Sequence, residues 1–374
     1  MADFDYIVIG AGMAGASAAY ELAAFGSVLV LEQEERPGYH STGRSAALYT
    51  ETYGNRTVRA LTTAGKGFYL QPPTGFAEHP LLMQRGVMLI ARADQKAALD
   101  GFMTEMKSLA GRVSRLDGTT ARARVPVLRA DYVAEAAFDP DAMDIDVHAL
   151  HGGYLRGLKA RGGQVIVDAG VSALTREGGG WQVESKAGQF RGLVIVDAAG
   201  AWADEIAGLA GAKPVGLVPK RRTAILFQPP ANVDVRGWPS VIDVEEQFYF
   251  RPDAGRLMAS PADETPMPPC DVQPDELDIA ILIDRMEKAA DLPVKRVEHR
   301  WAGLRTFAKD KTPVVGYDPR VENFFWLAGQ GGYGIQTAPG ISRLVAALAR
   351  HQPIPADLAA LGVAAADLSP ERFA

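Results

Sequence analysis

The 374-residue chain holds one cysteine, Cys270, and no apolar run near the roughly 20 residues that span a bilayer. A lone cysteine excludes an intramolecular disulfide and any metal site built on a cysteine cluster. The six histidines, His40, His79, His148, His151, His299 and His351, are scattered. None shares a metal-ligand spacing with acids or the cysteine, so no metal is expected. Positive charge is also short: 39 Lys and Arg against 45 Asp and Glu leave a net charge of −6. Nucleic acid and anionic membranes call for a clustered positive surplus, so neither is an expected partner. The opening Met1-Ala2-Asp3 is polar and unlike a secretory signal, which makes a cytoplasmic, reducing location the expectation. What remains, 47% apolar and 22% charged, is an ordinary globular composition with enough chain for a substantial core.

The first forty residues carry the strongest pattern. Tyr6 to Ile9 reads as a buried parallel strand, Gly10-Ala11-Gly12-Met13-Ala14-Gly15 as a turn, and the alanine-rich stretch to about Ala24 as a helix. A second strand, Val28 to Leu31, ends at Glu32 and Gln33. Gly10 permits the tight turn, Gly12 lets a pyrophosphate approach the backbone, and Gly15 lets helix and strand pack closely. The helix N-terminus, with Met13 and Ala14, offers free N–H groups and partial positive charge to phosphates. Glu32 stands where a ribose would donate to it, and its charge disfavours a 2′-phosphate. The unit is dinucleotide-binding, with NAD and FAD both open at this point.

The next segment, Arg36-Pro37-Gly38-Tyr39-His40-Ser41-Thr42-Gly43-Arg44-Ser45-Ala46-Ala47, resembles the flavin-contacting loop of the glycine/D-amino-acid oxidase (DAO) family. Ser41, Thr42 and Ser45 supply hydroxyls, Gly43 close approach, Arg44 positive charge, and Ala46 and Ala47 small contacts. Val194 to Trp202, with Ala199, Gly200 and Trp202 at its turn, resembles the second fingerprint of that family. Phe325 to Thr337 resembles its last strand and glycine turn, which places Gly331, Gly332, Tyr333, Gly334, Ile335, Gln336 and Thr337 against the cofactor. There the following helix would aim its positive end at the flavin. The resemblance runs nearly end to end. It is nearest to bacterial D-arginine dehydrogenases, through Trp301-Ala302-Gly303-Leu304-Arg305, Tyr249-Phe250-Arg251-Pro252-Asp253-Ala254-Gly255 and His351-Gln352-Pro353. It implies FAD, and His40 resembles a packing residue rather than a covalent attachment, so the FAD is expected to be non-covalent.

The implied fold class is α/β: an FAD-binding Rossmann-like domain interleaved with an α+β substrate domain containing a mostly antiparallel sheet. The FAD-binding pieces would be residues 1–47, 146–220 and 310–374, and the substrate-binding pieces 48–145 and 221–309. Asp146 to Arg161 has helical spacing, and Gln164 to Asp168 reads as a strand ending near Val171, an expected adenine contact. The substrate-domain strands would be Val87 to Ala91, Thr223 to Phe227, Gln247 to Phe250 and Leu257 to Ser260. Pro261 to Pro274 reads as a surface connection, and the alanine-rich end as a short surface helix.

Flavin-dependent amine oxidation asks a protein mainly to position its substrate, with a grip on the α-carboxylate that a planar guanidinium supplies best. The resemblance assigns that grip to Arg222 and Arg305, pocket-lining roles to Tyr53 and Tyr249, a backbone contact with the amine to Gly332, and a polar contact to Gln336. Leu48, Thr50 and Val87 would line the side-chain pocket, and Gly303 would border the cofactor. The family pattern is broken at two of these. D-arginine dehydrogenases carry a glutamate at Val87 and a histidine at Leu48, and the glutamate pairs with the cationic end of the substrate. Without it, burying a guanidinium beside Val87 costs several kcal/mol.

The expected reaction is therefore hydride removal from Cα of a D-amino acid with a neutral or apolar side chain. The imino acid formed then yields a 2-oxo acid and ammonia. The expected electron acceptor is a quinone or the respiratory chain, with O2 as the alternative. An N-alkyl, sarcosine-like amino acid or a 2-hydroxy acid is the alternative substrate, since each carries a carboxylate beside the reacting carbon. A non-catalytic dinucleotide-binding module is the alternative from another class.

Overall fold

The computed structural model describes residues 3–107 and 113–373. The polar Met1-Ala2 start, residues 108–112 of the expected substrate domain and Ala374 lie outside the described residues.

Five strands form the parallel part of the first sheet. Phe4–Ile9 lies at its centre, flanked by Val28–Leu31 on one side and Gly188–Asp197 on the other. Gln164–Ile166 extends it beyond Val28–Leu31, and Phe324–Ala328 pairs with the last residues of Gly188–Asp197. The first half of that same long strand pairs instead with the antiparallel hairpin partner Gly180–Ser185, which continues to Val171–Glu177. One strand thus serves two neighbours along one edge. Val314–Tyr317 completes the sheet.

Both faces are covered, as continuous apolar runs require. Helices Met13–Leu22 and Ala338–Leu348 bury Leu22, Ile341 and Leu344 against Val8, Val30 and Phe325 on one face. Trp181, Phe324 and Trp326 fill the other. The expected strand Gln164 to Asp168 stops at Ile166, because Asp168 turns into the left-handed region at φ +50°. The expected helix to Ala24 ends at Leu22.

The second sheet has eight strands in the order Val297–Phe307, Val218–Phe227, Arg256–Ser260, Tyr249–Asp253, Ser240–Asp243, Val87–Ala91, Glu135–Asp139 and Ser114–Asp117. Every pair in it is antiparallel except Ser240–Asp243 with Val87–Ala91. Alternation divides its residues cleanly. Met88, Ile90, Val241, Phe250, Leu257, Ala259, Ile225 and Phe227 pack with Ile279, Leu282 and Met286 of helix Glu276–Ala289. Their neighbours along each strand face the other way, toward the first sheet. The strand expected from Gln247 begins at Tyr249, because Glu246 sits at φ +55° and the Asp243 carboxylate accepts the backbone N–H groups of Glu245 and Gln247. The strand expected at Thr223 starts five residues earlier, at Val218, since it pairs with Val297–Phe307 along its full length.

Between the sheets, Leu48–Tyr49, Leu82–Gln84 and Met143–Ile145 form a small three-stranded sheet. Asp144 joins it to the second sheet: one carboxylate oxygen accepts Arg85 Nε at 2.7 Å and the other Arg251 Nη1 at 2.6 Å. Arg251 Nη1 also reaches the carbonyl of Ala47 at 3.4 Å. The three side chains are 10–15% exposed. Two guanidiniums therefore depend on one buried carboxylate, and removing it leaves both charges without their partner. Asp144→Ala is expected to lower the unfolding free energy by about 3–5 kcal/mol, read from the midpoint of urea unfolding at an unchanged slope.

Candidate active site

A cavity of about 750 Å³ runs from the end of strand Val28–Leu31 to the inner face of the second sheet. It brings together nearly all the residues the sequence singles out. Gly10, Gly12, Met13 and Ala14 line it from the glycine turn, and Glu32 and Gln33 from the end of the second strand. Ser41, Thr42, Arg44, Ser45, Ala46 and Ala47 come from the following loop, and Val171, Ala199, Gly200 and Trp202 from the hairpin and second turn. Gly303, Gly331, Gly332, Tyr333, Gly334, Ile335 and Gln336 close the side toward the substrate sheet. Leu48, Thr50, Tyr53, Val87, Arg222, Tyr249 and Arg305 line the far end.

Two expected contacts do not reach it. A Cβ on Gly15 would lie 1.9 Å from the carbonyl oxygen of Gly10, so Gly15 packs the helix on the turn and stays behind the wall. Thr337 is fully buried, and its hydroxyl donates to the Tyr333 carbonyl at 2.9 Å at the start of the last long helix.

The glycine turn is locked from three sides. Gly10 has φ +100°, and a side chain there would strike the Ala198 carbonyl at 2.6 Å. Glu32 accepts Ala11 N–H at 2.7 Å and Glu34 N–H at 3.0 Å. Burial raises the Glu32 pKa, and those two N–H donors work against the rise. His151 holds the opposite side, its Nε2 lying 2.8 Å from the Ala11 carbonyl. Burial lowers the His151 pKa, which favours the neutral ring that donates this hydrogen bond. The first turn of helix Met13–Leu22 has no acidic side chain, although the Met13 N–H, expected free, is taken by Thr42 Oγ1.

The loop after Glu32 binds protein as much as it faces the cavity. Thr42 Oγ1 accepts Met13 N–H at 2.9 Å, leaving its own proton to donate. The Ser41 hydroxyl donates to the Leu304 carbonyl at 2.6 Å, and Trp301 Nε1 donates to the Arg44 carbonyl at 3.0 Å. The charge expected from Arg44 is neutralised: its guanidinium is paired with Asp271 and donates to the Val272 and Ala302 carbonyls. Arg44 therefore ties the loop to the substrate sheet. His40 is paired with Glu34 at 2.8 Å and tilts against Trp202.

At the far end the second sheet sets the geometry. Arg222 stands opposite Gly303 and Arg305 opposite Lys220, so both arginines share the cavity face of neighbouring antiparallel strands. Arg221, one residue along, points to the other face and pairs with Asp263 and Asp278. The basic run Lys220-Arg221-Arg222 is thus divided by the pleat, and Arg222 is only 9% exposed. Its Nε donates to the Asp263 carbonyl at 3.0 Å, with Glu264 at 3.5 Å from Nη2. Gly332 abuts the Arg305 guanidinium, where a Cβ would lie 3.0 Å from Nη1.

Burial opposes the Arg305 charge, yet Tyr53, Tyr249 and Glu246 more than offset it and raise the pKa. For Tyr249, burial pushes upward, but Arg305 and Arg222 together bring its pKa below the ordinary tyrosine value. Burial raises the Tyr53 pKa. Gln336 is buried and donates Nε2 to Thr62 Oγ1 at 3.0 Å.

Sequence reasoning missed several wall residues. Glu246 lines the cavity from the tight turn before Tyr249, where its own φ is +55°. Thr52 joins Thr50 beside the buried Asp139, with Thr50 Oγ1 2.7 Å from Thr52 Oγ1 and 3.1 Å from the carboxylate. Leu89, Ile242 and Val244 alternate with core residues, a strand pattern that marks them as the opposite face and does not say what that face meets. Asp197 lies in the strand that resembles the second fingerprint. It is wholly buried at the strand end, with Oδ1 accepting Ala199 N–H at 3.1 Å and Oδ2 without a partner. Among the described residues, no group of three or more His, Cys, Asp and Glu could hold a metal ion, and no helix is long and apolar enough to cross a membrane.

A family model described as FAD dependent oxidoreductase (DAO) matches residues 5–348. The uncharacterized oxidoreductase YurR of Bacillus subtilis (strain 168) is 25% identical, over 94% of this chain and 96% of its own length. Human mitochondrial dimethylglycine dehydrogenase is also 25% identical over 98% of this chain, which spans 44% of that enzyme. Among solved structures, glycine oxidase from Geobacillus kaustophilus superposes with a TM-score of 0.83 at 21% identity, covering 96% of this chain and 97% of its own. The residues fit FAD. The glycine turn admits no Cβ at Gly10, the helix above it carries no first-turn acid, and one continuous cavity joins the Glu32 carboxylate to the arginine pair.

Two measurements follow from this geometry. Gly15→Ala drives a methyl into the Gly10 carbonyl and is expected to yield protein largely without FAD, read from the ratio of visible to ultraviolet absorbance. Burial of Asp197 raises its pKa well above the usual carboxylate range, favouring the neutral acid in the folded state. In the unfolded chain it ionises at the ordinary value, so its contribution to stability is complete below that value and is lost as pH rises toward the folded pKa. Asp197→Asn should then be more stable than the parent at neutral and alkaline pH, with the gap closing toward acid. Equal pH slopes for the two proteins in urea unfolding would contradict this.

Proposed function

The chain belongs to the DAO family of FAD-dependent oxidoreductases, and from that premise we propose that it oxidises the Cα–N bond of a D-amino acid with a neutral, apolar side chain. The carrying observation is the arginine pair. Arg222 and Arg305 hold two guanidiniums on one sheet face, in a cavity whose neighbouring wall is Val87, Leu89 and Ile242. Glu264, 3.5 Å from Arg222, and Glu246, acting on Arg305, answer part of that charge, and the planar forks still suit an α-carboxylate.

In this reading the segments 1–47, 146–220 and 310–374 hold the cofactor, and 48–145 and 221–309 the substrate. FAD, when bound, supplies the acceptor for the two electrons and the hydrogen leaving Cα. The arginines anchor the carboxylate and set the direction of the side chain. Tyr53 and Tyr249 flank the reacting carbon, and the Gly332 carbonyl is placed for the amino group. The neutral amine's lone pair forms the C=N bond as the Cα–H bond breaks. Water then adds to that bond and releases ammonia and the 2-oxo acid. The nearest catalytic likeness we propose is to D-arginine dehydrogenases, altered at Val87 and Leu48, with non-covalent FAD, a quinone or respiratory acceptor and a cytoplasmic setting.

The likeness to dimethylglycine dehydrogenase, over 98% of this chain and 44% of that enzyme, supports a second reading, oxidation of an N-alkyl amino acid at the same arginine pair. Products separate the two, since only a primary amino acid releases ammonia. A 2-hydroxy acid would release none either.

Anaerobic addition of single amino acids tests the reading directly. Neutral D-amino acids are expected to bleach the flavin band near about 450 nm, and L-forms and D-Arg are not. Comparable rates on D-Arg and D-Leu would overturn the assignment of Val87. Val87→Glu should raise the D-Arg to D-Leu ratio of kcat/KM. Arg305→Leu should lower kcat/KM on any substrate by about 10²–10³, the loss of a buried charge-assisted pair.

A further inference from the structure

The cavity continues past Val87. Leu89 and Ile242 stand directly opposite each other on neighbouring strands, and Val87 shares their face two residues along. Val244 follows just beyond the strand end, and all four line the cavity. Helix Lys96–Met106 lies over this end of the sheet. Its Phe102 packs in one cluster with Leu89 and Val244, and Phe102 and Glu105 line the same cavity. Across the opening, Arg59 in the first turn of helix Arg56–Leu70 donates Nη2 to Glu105 Oε1 at 2.7 Å. The Arg59 side chain is 12% exposed and that of Glu105 54%, so the pair links the two helices at the solvent rim of the pocket end. Directly opposite Val87 stands the buried Asp139, whose carboxylate is taken up by the Thr50 and Thr52 hydroxyls and the Asp141 N–H.

This wall discriminates by length as well as by charge. A short side chain leaves water against Leu89, Ile242, Val244 and the Phe102 ring. A charged end of either sign would have to compete with the Arg59–Glu105 pair for its partner. A long apolar or aromatic side chain displaces the water and stops at Phe102, inside the ion pair. We propose that the substrate carries a large apolar side chain, aromatic or long aliphatic, that seats on Phe102, with the Arg59–Glu105 pair holding that helix as the pocket's end wall. The inference rests on the reading that Arg222 and Arg305 grip an α-carboxylate.

Simple carboxylates test it without turnover, because they carry the anion and no oxidisable amine. Straight-chain acids from acetate to heptanoate, and 3-phenylpropanoate, would be titrated into the FAD-loaded protein and followed by perturbation of the flavin spectrum. Affinity is expected to rise about fourfold per methylene over roughly the first three added, the transfer value for buried CH₂ groups. Phe102→Ala should cost 3-phenylpropanoate about tenfold or more in affinity while leaving acetate unchanged. Phe102→Leu, which keeps the helix packed, should show a smaller loss of the same sign and serves if the alanine variant fails to fold. Arg59→Met should flatten the chain-length dependence and leave acetate binding intact. Carboxylates that bind with no dependence on length overturn the inference and leave the arginine grip standing. If no carboxylate binds, the grip itself falls, and the inference with it.

Discussion

Two guanidiniums on one face of an antiparallel ladder are the constraint around which this molecule is organised. The pairing of Val218–Phe227 with Val297–Phe307 puts Arg222 and Arg305 on the same side, and Arg221 on the other among Asp263 and Asp278. Desolvating such a pair without an anion is unfavourable. The surroundings are built accordingly: tyrosine hydroxyls and Glu246 raise the Arg305 pKa against burial, and Arg222 leans on the Asp263 carbonyl and Glu264. Asp263 and Glu264 follow strand Arg256–Ser260 beside the ladder, Tyr249 and Glu246 come from the next strand and the turn before it, and Tyr53 from the segment between Leu48–Tyr49 and helix Arg56–Leu70.

The loop Ser41–Ala47 connects that ladder to the dinucleotide unit. It is attached to strand Val297–Phe307 through Ser41, Arg44 and Trp301, and to the dinucleotide helix through Thr42. Asp144, between Arg85 and Arg251, ties the far side of the same loop by way of the Ala47 carbonyl. A small displacement at either seam would shift the cofactor slot relative to the arginine pair. Near-attack geometry tolerates little of that, which gives a physical reason for so many polar side chains being committed to holding a loop.

The apolar wall beyond the arginines comes from the same alternation. Met88, Ile90 and Val241 build the core, while Val87, Leu89 and Ile242 are left for the cavity. One strand pattern therefore specifies a core on one side and an apolar cavity wall on the other. Helix Lys96–Met106 then turns an open sheet face into a pocket with an end.

Much of this was legible in the residues. The strand, glycine turn, helix and acid at the N-terminus have local causes: sterics at Gly10, close packing at Gly15, continuous apolar runs in parallel strands. The strand Val87–Ala91 and the helix Val147–Ala160 follow from short-range periodicity in the same way. By likeness, the sequence also pointed to Arg222, Arg305 and the flavin loop. It could not show that Arg44 is neutralised by Asp271, 227 residues away, or that Ser41 donates to Leu304. Nor could it show that Thr337 turns inward, that Glu246 enters the cavity on a left-handed turn, or that Arg59 meets Glu105 over the pocket end. The sequence by itself determined the elements and the chemistry of the cofactor half, because those depend on neighbours within a few residues. Tertiary structure alone decided which charges remain available and how far the pocket reaches, because partners distant in the chain set both.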